Sequence, residues 1–243
     1  MAAPGTRAPE REDVNTELNT FDTRGELAEA LAARIADLLS QAIASKGEAL
    51  LAISGGATPG NFFRALSTKP LDWKHMTVTL VDERFVPPSS DRSNEHLVRS
   101  MLLKNEAAAA RFVGLYRDEA TVEDAAVAVA GDLATLTWPL DAVVLGMGGD
   151  GHTASFFPDA DDLETLLAPS NPALVMSVHA KTAGEPRLTL PLARLIEAPF
   201  IALHIEGAEK KRVLDAALDP SSALPISAVF RAARAPIQIF WAP

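Results

Sequence analysis

Short, almost wholly apolar runs recur along the chain and constrain its fold more than any other feature. They are Ala49–Ser54 (ALLAIS), Met76–Glu83 (MTVTLVDE), Asp141–Gly146 (DAVVLG), Ala173–Val178 (ALVMSV), Phe200–Glu206 (FIALHIE) and Ile237–Ala242 (IQIFWA). Each is too short for a helix, and continuous apolarity without alternation marks a strand covered on both faces, as in a parallel sheet. Helical spacing fills the intervals. Leu27, Leu31, Ile35, Leu38, Ala42 and Ile43 repeat on one face of Arg24–Lys46, with Gly47 as a stop. Pro59 opens a helix through Leu66, Ser93 caps one through Leu102, and Thr121–Leu136 and Glu209–Leu218 also read as helical. Strands alternating with helices predict an α/β fold: a mainly parallel sheet with helices on both faces. No repeat or composition break interrupts residues 20–243, so residues 16–243 read as a single α/β domain. Residues 1–15, rich in Ala, Pro and charge, read as a disordered leader.

In such a fold the loops after the strands' carboxyl ends gather at one edge, where ligands bind. Three unusual segments follow predicted strands. The first is Ser54–Gly60 (SGGATPG). Gly55 and Gly56 permit a sharp turn with unobstructed N–H groups, Ser54 and Thr58 add hydroxyls, and Pro59 starts a helix whose N-terminus favours an anion. This reads as a phosphate cradle or, more simply, as a tight strand-to-helix turn. No Gly-Lys-Ser/Thr follows, so it is not a nucleotide P-loop. The second is Asp82–Asn94, where Asp82, Glu83 and Arg84 end an apolar strand before a long polar loop. Taken alone, the trio reads as a solvated strand exit.

The third, LGMGGDGHTASFFP (Leu145–Pro158), fits G-x-G-x-x-G through Gly146, Gly148 and Gly151. A pyrophosphate site is disfavoured, because Asp150 would set a carboxylate among N–H groups meant for an anion. His179, not an acid, ends the next predicted strand where a ribose partner is expected. The glycines instead allow a tight turn projecting Asp150 and His152, a carboxylate that can fix an imidazole's tautomer. His75 and His96 read as surface or loop residues and His204 as a packed strand residue. His179 is ambiguous between packing and a site role.

Composition narrows the chemistry. With no cysteine, disulfides and thiolate chemistry are excluded, and no histidine spacing makes a metal motif, so no metal is expected. The net charge of −10 and the lack of a Lys/Arg run argue against nucleic acid, and no apolar stretch is long enough for a membrane span. An acidic chain that holds an anion must do so with a few placed cations. Arg187 in PRLTLP and Lys210 in IEGAEKKRVL are candidates, although Lys210 with Lys211 also reads as a solvated helix face and Arg187 as a surface charge.

Taken in order, SGGATP, VDERFVP with Ser93–Asn94, LGMGGDGHTASFFP, PRLTLP and IEGAEKKRVL resemble the 6-phosphogluconolactonase family, within the glucosamine-6-phosphate isomerase/deaminase-like superfamily. The matches span most of residues 50–214, and the GDGHTAS run is the most specific. The resemblance implies a modified Rossmann-like fold, no cofactor, a cytoplasmic setting and hydrolysis of a phosphorylated sugar lactone, 6-phospho-D-glucono-1,5-lactone, to 6-phosphogluconate. On that basis Ser54, Gly55, Gly56 and Thr58, helped by Arg187 and Lys210, hold the 6-phosphate. His152 is the general base, Asp150 its partner, and Arg84 stabilises charge on the lactone oxygens. Asp82 and Asn94 support the site, and the chain is a monomer or weak homodimer. The sister deaminases resembled by the same loops carry a catalytic glutamate five residues beyond the histidine. Here Phe157 stands in that place and cannot relay a proton. A deaminase/isomerase and a non-catalytic sugar-phosphate module are the alternative readings.

Overall fold

The computed structural model describes residues 15–243. The expected leader, residues 1–15, lies outside the described residues except for Asn15, whose carbonyl accepts a bond from the Ile237 N–H at 3.0 Å. The chain opens with β1 (Thr16–Thr20) and α1 (Arg24–Lys46), then β2 (Ala49–Ile53), α2 (Gly60–Ser67), β3 (Met76–Leu80), β4 (Asp82–Arg84), α3 (Asn94–Met101), β5 (Arg111–Val113) and α4 (Val122–Leu133). The second half holds β6 (Ala142–Leu145), α5 (Leu163–Leu166), β7 (Met176–Val178), β8 (Arg187–Thr189), α6 (Leu192–Leu195), β9 (Ile201–Glu206), α7 (Gly207–Ala217), α8 (Pro225–Ala232) and β10 (Ile237–Ala242).

Seven strands form one sheet in the order β1-β10-β9-β6-β2-β3-β5. Every pairing in it is parallel. The apolar runs explain its middle. All residues of β2 and β6 are buried. Successive strand residues face opposite ways, so burial of all of them requires cover on both faces of the sheet. The core is continuous from α1 through β2, β6 and β9 to α8. Helix α1 begins at Thr23, whose hydroxyl accepts from the Glu26 N–H while Glu26 accepts from the Thr23 N–H, a reciprocal cap. It stops at Gly47, whose φ of 87° is a conformation that side chains resist.

The predicted strand Met76–Glu83 is corrected by the structure: it is two strands in two sheets. Val81 is the joint, its N–H bonded to Ile53 O at 3.0 Å and its carbonyl accepting from Leu190 N–H at 2.8 Å. Beyond it, β4 joins a small antiparallel sheet in the order β4-β8-β7. The predicted Ala173–Val178 strand shrinks to β7 and belongs to this small sheet. Edge strands β1 and β5, strand β8 and helices α5, α6 and α8 had no expectation behind them. The Thr121 helix ends at Leu133, with the Thr121 hydroxyl accepting from Asp124 N–H.

The strand order places the crevice. From β2 the chain crosses to β3 on one side, while β6 lies on the other and leads on to β9 and β10. Between β2 and β6 the direction of winding reverses, and ligands bind beyond the carboxyl ends of strands at such a point. The loops after β2 and after β6 leave the sheet there, and Val81 carries β4 toward the same edge.

Candidate active site

A cleft of about 250 Å³ opens at this switch point. Its walls include Ser54 to Pro59, Asp82, Arg84, Asn94, Gly146 to Gly148, His152, Arg187, His204 and Lys210. Of the candidate residues, only Asp150 is not on its wall, and Asp150 touches His152.

The loop after β2 is braced rather than free at its first residue. The Ser54 N–H continues the sheet to Val144 O at 2.9 Å, and its Oγ accepts from the Gly146 N–H at 3.1 Å. Ser54 therefore ties the two switch-point loops together, and its hydroxyl hydrogen remains a donor. The run of unpaired N–H groups starts one residue later. Among the described residues the N–H groups of Gly55, Gly56, Ala57 and Thr58 meet no protein acceptor. They precede the N-terminus of α2, where the helix dipole adds positive potential. Gly55 is required by close approach, since a Cβ there would lie 2.1 Å from Asn94 Oδ1. Asn94 donates its amide to Asp82 O at 2.9 Å, which holds it against Gly55.

The loop after β6 presents the imidazole. His152 Nδ1 lies 2.5 Å from Asp150 Oδ1, which also accepts the His152 N–H at 3.2 Å. A carboxylate only accepts, so Nδ1 carries the hydrogen and Nε2 keeps its lone pair. The turn closes through Gly148 N–H to His152 O at 2.8 Å. Gly148 must be glycine: a Cβ there would lie 2.2 Å from His152 Nδ1 and 2.5 Å from Asp150 Oδ1. Gly151 has φ 77°, a Cβ there would lie 2.9 Å from Leu224, and its carbonyl accepts from Ile226 N–H at 3.0 Å, which docks the turn on α8. The Phe157 ring sits 4.4 Å from the His152 ring, centroid to centroid, and is itself buried.

The small sheet delivers the cations. Arg84 and Arg187 are direct cross-strand partners in β4 and β8. Arg187 is buried, with a guanidinium N–H given to Ala183 O at 2.9 Å and Cζ 5.3 Å over the Phe157 ring. Burial pushes its pKa below the ordinary arginine value; Asp82 opposes that and Arg84 adds to it. Arg84 gives an N–H to Arg92 O and lies 3.8 Å from Glu185. The buried Nε atoms of both arginines lack a hydrogen-bond partner. Lys210, in the first turn of α7, holds its Nζ near Gly149.

Two bonds tie the loops to this small sheet. Ser155 Oγ donates to Asp82 Oδ2 at 2.7 Å, and the Ser155 N–H reaches Thr189 Oγ1 at 3.3 Å. The expectation of a solvated exit at Asp82–Arg84 is overturned at Glu83, which is fully buried. Its carboxylate accepts from the N–H groups of Arg84, Asn94 and Glu95 and from Ser93 Oγ, at 2.7 to 2.9 Å. Glu83 thus anchors the start of α3, and burial pushes its pKa up against those bonds. Sequence reasoning also missed Ser155 and Thr189 as braces; the small-residue run HTAS and the threonine in PRLTLP were the only signals. His204, expected to be packed, is buried and also forms part of the cleft wall. His179 lies outside the cleft, its Nε2 2.7 Å from Glu123 on α4. Among the described residues no group of three or more acidic, histidine or cysteine side chains is placed to hold a metal, and no helix is long and apolar enough to cross a membrane.

The arrangement defines a class: a parallel α/β protein whose switch-point cleft joins a turn of unpaired N–H groups to a carboxylate-braced imidazole. Residues 22–241 match the family model described as glucosamine-6-phosphate isomerases/6-phosphogluconolactonase. The chain is 58% identical over 225 residues to a 6-phosphogluconolactonase of Mesorhizobium japonicum, covering 93% of this chain and 94% of that one. It is 52% identical over 233 residues to that of Rhizobium meliloti, covering 95% and 100%. The crystal structure of a 6-phosphogluconolactonase from Shewanella baltica superposes with a TM-score of 0.90 at 40% identity, covering 94% of this chain and 98% of that one. The chain belongs to the glucosamine-6-phosphate isomerase/6-phosphogluconolactonase family.

Proposed function

We infer that this chain hydrolyses 6-phospho-D-glucono-1,5-lactone to 6-phosphogluconate, the second step of the oxidative pentose phosphate pathway. One observation carries the reading: the imidazole of His152, its Nδ1 held by Asp150, shares one cleft with the cradle at Gly55–Thr58 and the Arg84–Arg187 pair. The relatives' names supply the substrate.

The 6-phosphate sits on the N–H groups of Gly55 to Thr58, with the Ser54 and Thr58 hydroxyls, Arg187 and Lys210 around it. Arginine grips phosphate as a fork and lysine acts as a point charge. The lactone carbonyl then faces His152. Nε2 takes a proton from water as the water oxygen bonds to the carbonyl carbon. Asp150 stabilises the imidazolium that forms. Arg84 offers N–H groups to the charge developing on the lactone oxygens. On collapse the ring C–O bond breaks, and Nε2 returns its proton to the departing ring oxygen. This leaves the neutral imidazole and a gluconic acid, which ionises. Asp82 and Asn94 hold the walls.

A deaminase needs a further proton-relaying group near the imidazole. Phe157 fills that place with a buried ring packed against His152, which favours the lactonase. We also propose that residues 16–243 act as one domain, in the cytoplasm, as a monomer or weak homodimer, and without a cofactor.

The test is acid release from freshly made 6-phosphogluconolactone, measured beside the spontaneous rate. Turnover well above background that collapses in His152→Asn is the expected result. A rate equal to background would overturn the reading, and full activity without the imidazole would remove His152 from the mechanism.

A further inference from the structure

Two buried polar atoms beside the cleft stand close together and yet make no hydrogen bond: Arg84 Nε and Glu185 Oε1, 3.8 Å apart. A buried donor and a buried carboxylate oxygen without partners are each costly. The small sheet brings Glu185 there. Arg84 faces Arg187 across β4 and β8, and the Phe85 N–H carries that ladder one step further, to Pro186 O at 2.8 Å. Glu185 is the next residue back along the chain. Arg92, in the loop between β4 and α3, gives a guanidinium N–H to Glu185 Oε2 at 2.5 Å. The Arg92 carbonyl in turn accepts an N–H from Arg84. Arg92 therefore holds the carboxylate by one oxygen and leaves the other for Arg84.

Three arginines and two carboxylates meet at this point: Arg84, Arg92 and Arg187 with Asp82 and Glu185. Asp82 already accepts from Ser155 and Asn94. Three positive charges against two negative leave one positive charge over, on the side where Arg84 and Arg187 line the cleft. The Glu185 side chain is only 14% exposed. A shift of about 1 Å would turn its approach to Arg84 into an ordinary charge-assisted hydrogen bond. Arg84 thus has two competing acceptors, Glu185 within the protein and an anionic oxygen of a ligand in the cleft.

We propose that Glu185 is a built-in competitor for Arg84, which acts through that arginine to weaken the hold on anionic ligands and on the hydrolysis product above all. The inference rests on the lactonase reading for the ligand's identity. Hydrolysis turns a neutral ester carbonyl into a carboxylate, so an uncommitted arginine in the cleft would grip the product more tightly than the substrate. Glu185 gives Arg84 another carboxylate to turn to, and the product leaves. The role requires no contact between Glu185 and the ligand.

The test is calorimetric titration of 6-phosphogluconate into the full-length protein, parent and Glu185→Gln, beside inhibition of lactone turnover by 6-phosphogluconate. Removing the charge while keeping the shape should tighten Kd about tenfold, equivalent to about 1.4 kcal/mol, and inhibition should strengthen in step. A substitution that only damaged the structure would weaken binding instead. The gain should vanish without its target, so Arg84→Gln and the double variant Arg84→Gln/Glu185→Gln should bind alike. Unchanged or weaker binding in Glu185→Gln would overturn the proposal. A gain of the same size on the Arg84→Gln background would also overturn it, because plain repulsion between carboxylate and ligand would then suffice. If Glu185→Gln fails to fold, Glu185→Ala carries the same expectation and the same refutation. A parent that leaves the lactone at its background rate, while the Arg84-dependent gain is present, would refute the lactonase reading and leave this one standing. No binding of 6-phosphogluconate by parent or variant would end both.

Discussion

Arg84 and Arg187 stand directly opposite one another across β4 and β8, two like charges in a register where opposite charges would be stabilising. Both line the cleft, and the buried Nε of each lacks a hydrogen-bond partner, although Arg84 Nε stands 3.8 Å from Glu185. An anionic ligand relieves that repulsion. Saturating 6-phosphogluconate should therefore stabilise the protein by about 2.7 kcal/mol at a hundred times its Kd. That corresponds to a rise in Tm of about 2–4 °C per kcal/mol for a chain of this size. Arg187→Gln should lose most of that ligand-induced shift and raise KM, and thermal melts with and without ligand read both. Equal shifts in parent and variant would remove Arg187 from the anion site.

The tautomer of His152 is a second point of test. Asp150→Asn leaves a side chain of the same shape but presents an amide donor to Nδ1. The ring hydrogen then moves to Nε2 and the base is lost. Lactone turnover should fall by about 10²–10⁴-fold, the usual worth of general-base help, with folding intact by circular dichroism. A variant within a factor of two or so of the parent would mean that Asp150 does not set the proton's place.

Gly148→Ala probes the same geometry sterically. Its new Cβ would collide with His152 Nδ1 and Asp150 Oδ1. Misplacing a catalytic group by about 1 Å costs on the order of 10²-fold. The drop should appear in kcat, while KM, set by the loop after β2, changes little. A large KM effect with unchanged kcat would contradict the division of labour drawn here.

Glu83→Gln should act on stability instead. It removes an acceptor oxygen from a buried cluster of donors and leaves at least one N–H at the start of α3 unsatisfied, a loss of about 1–3 kcal/mol. A lower denaturation midpoint with near-parent activity at low temperature is the expected pattern. An unchanged midpoint would show that the cluster finds other partners.

The middle of the large sheet was legible because its inner strands are buried on both faces, and burial writes itself as apolar runs such as ALLAIS and DAVVLG; the exposed edge strands β1 and β5 carry no such run. The placement of Ser54–Thr58 and Asp150–His152 at one edge was legible because glycine-rich turns follow two apolar runs, whereas nothing in the sequence set Arg84 opposite Arg187. The small sheet was not: β4, β7 and β8 are three residues each, and Arg187–Thr189 carries no run long enough to announce a strand. Its existence depends on Val81 leaving one sheet for another, a decision taken by partners more than a hundred residues away. For the same reason Glu83 read as a solvated charge. Two of its partners are N–H groups of a helix that starts eleven residues later, and N–H groups have no letter in a sequence.

Ser155 fastens the imidazole's turn to the arginine-bearing ladder through Asp82 and Thr189. The spacing between His152 and the Arg84–Arg187 pair is thereby set by two cross-links rather than by loop length. The cleft thus behaves as a gauge with fixed jaws: a phospholactone one carbon shorter would present its carbonyl short of the imidazole even when fully gripped. Comparing turnover across phosphorylated lactones of different length reads that gauge, and Ser155→Ala should blur its marks.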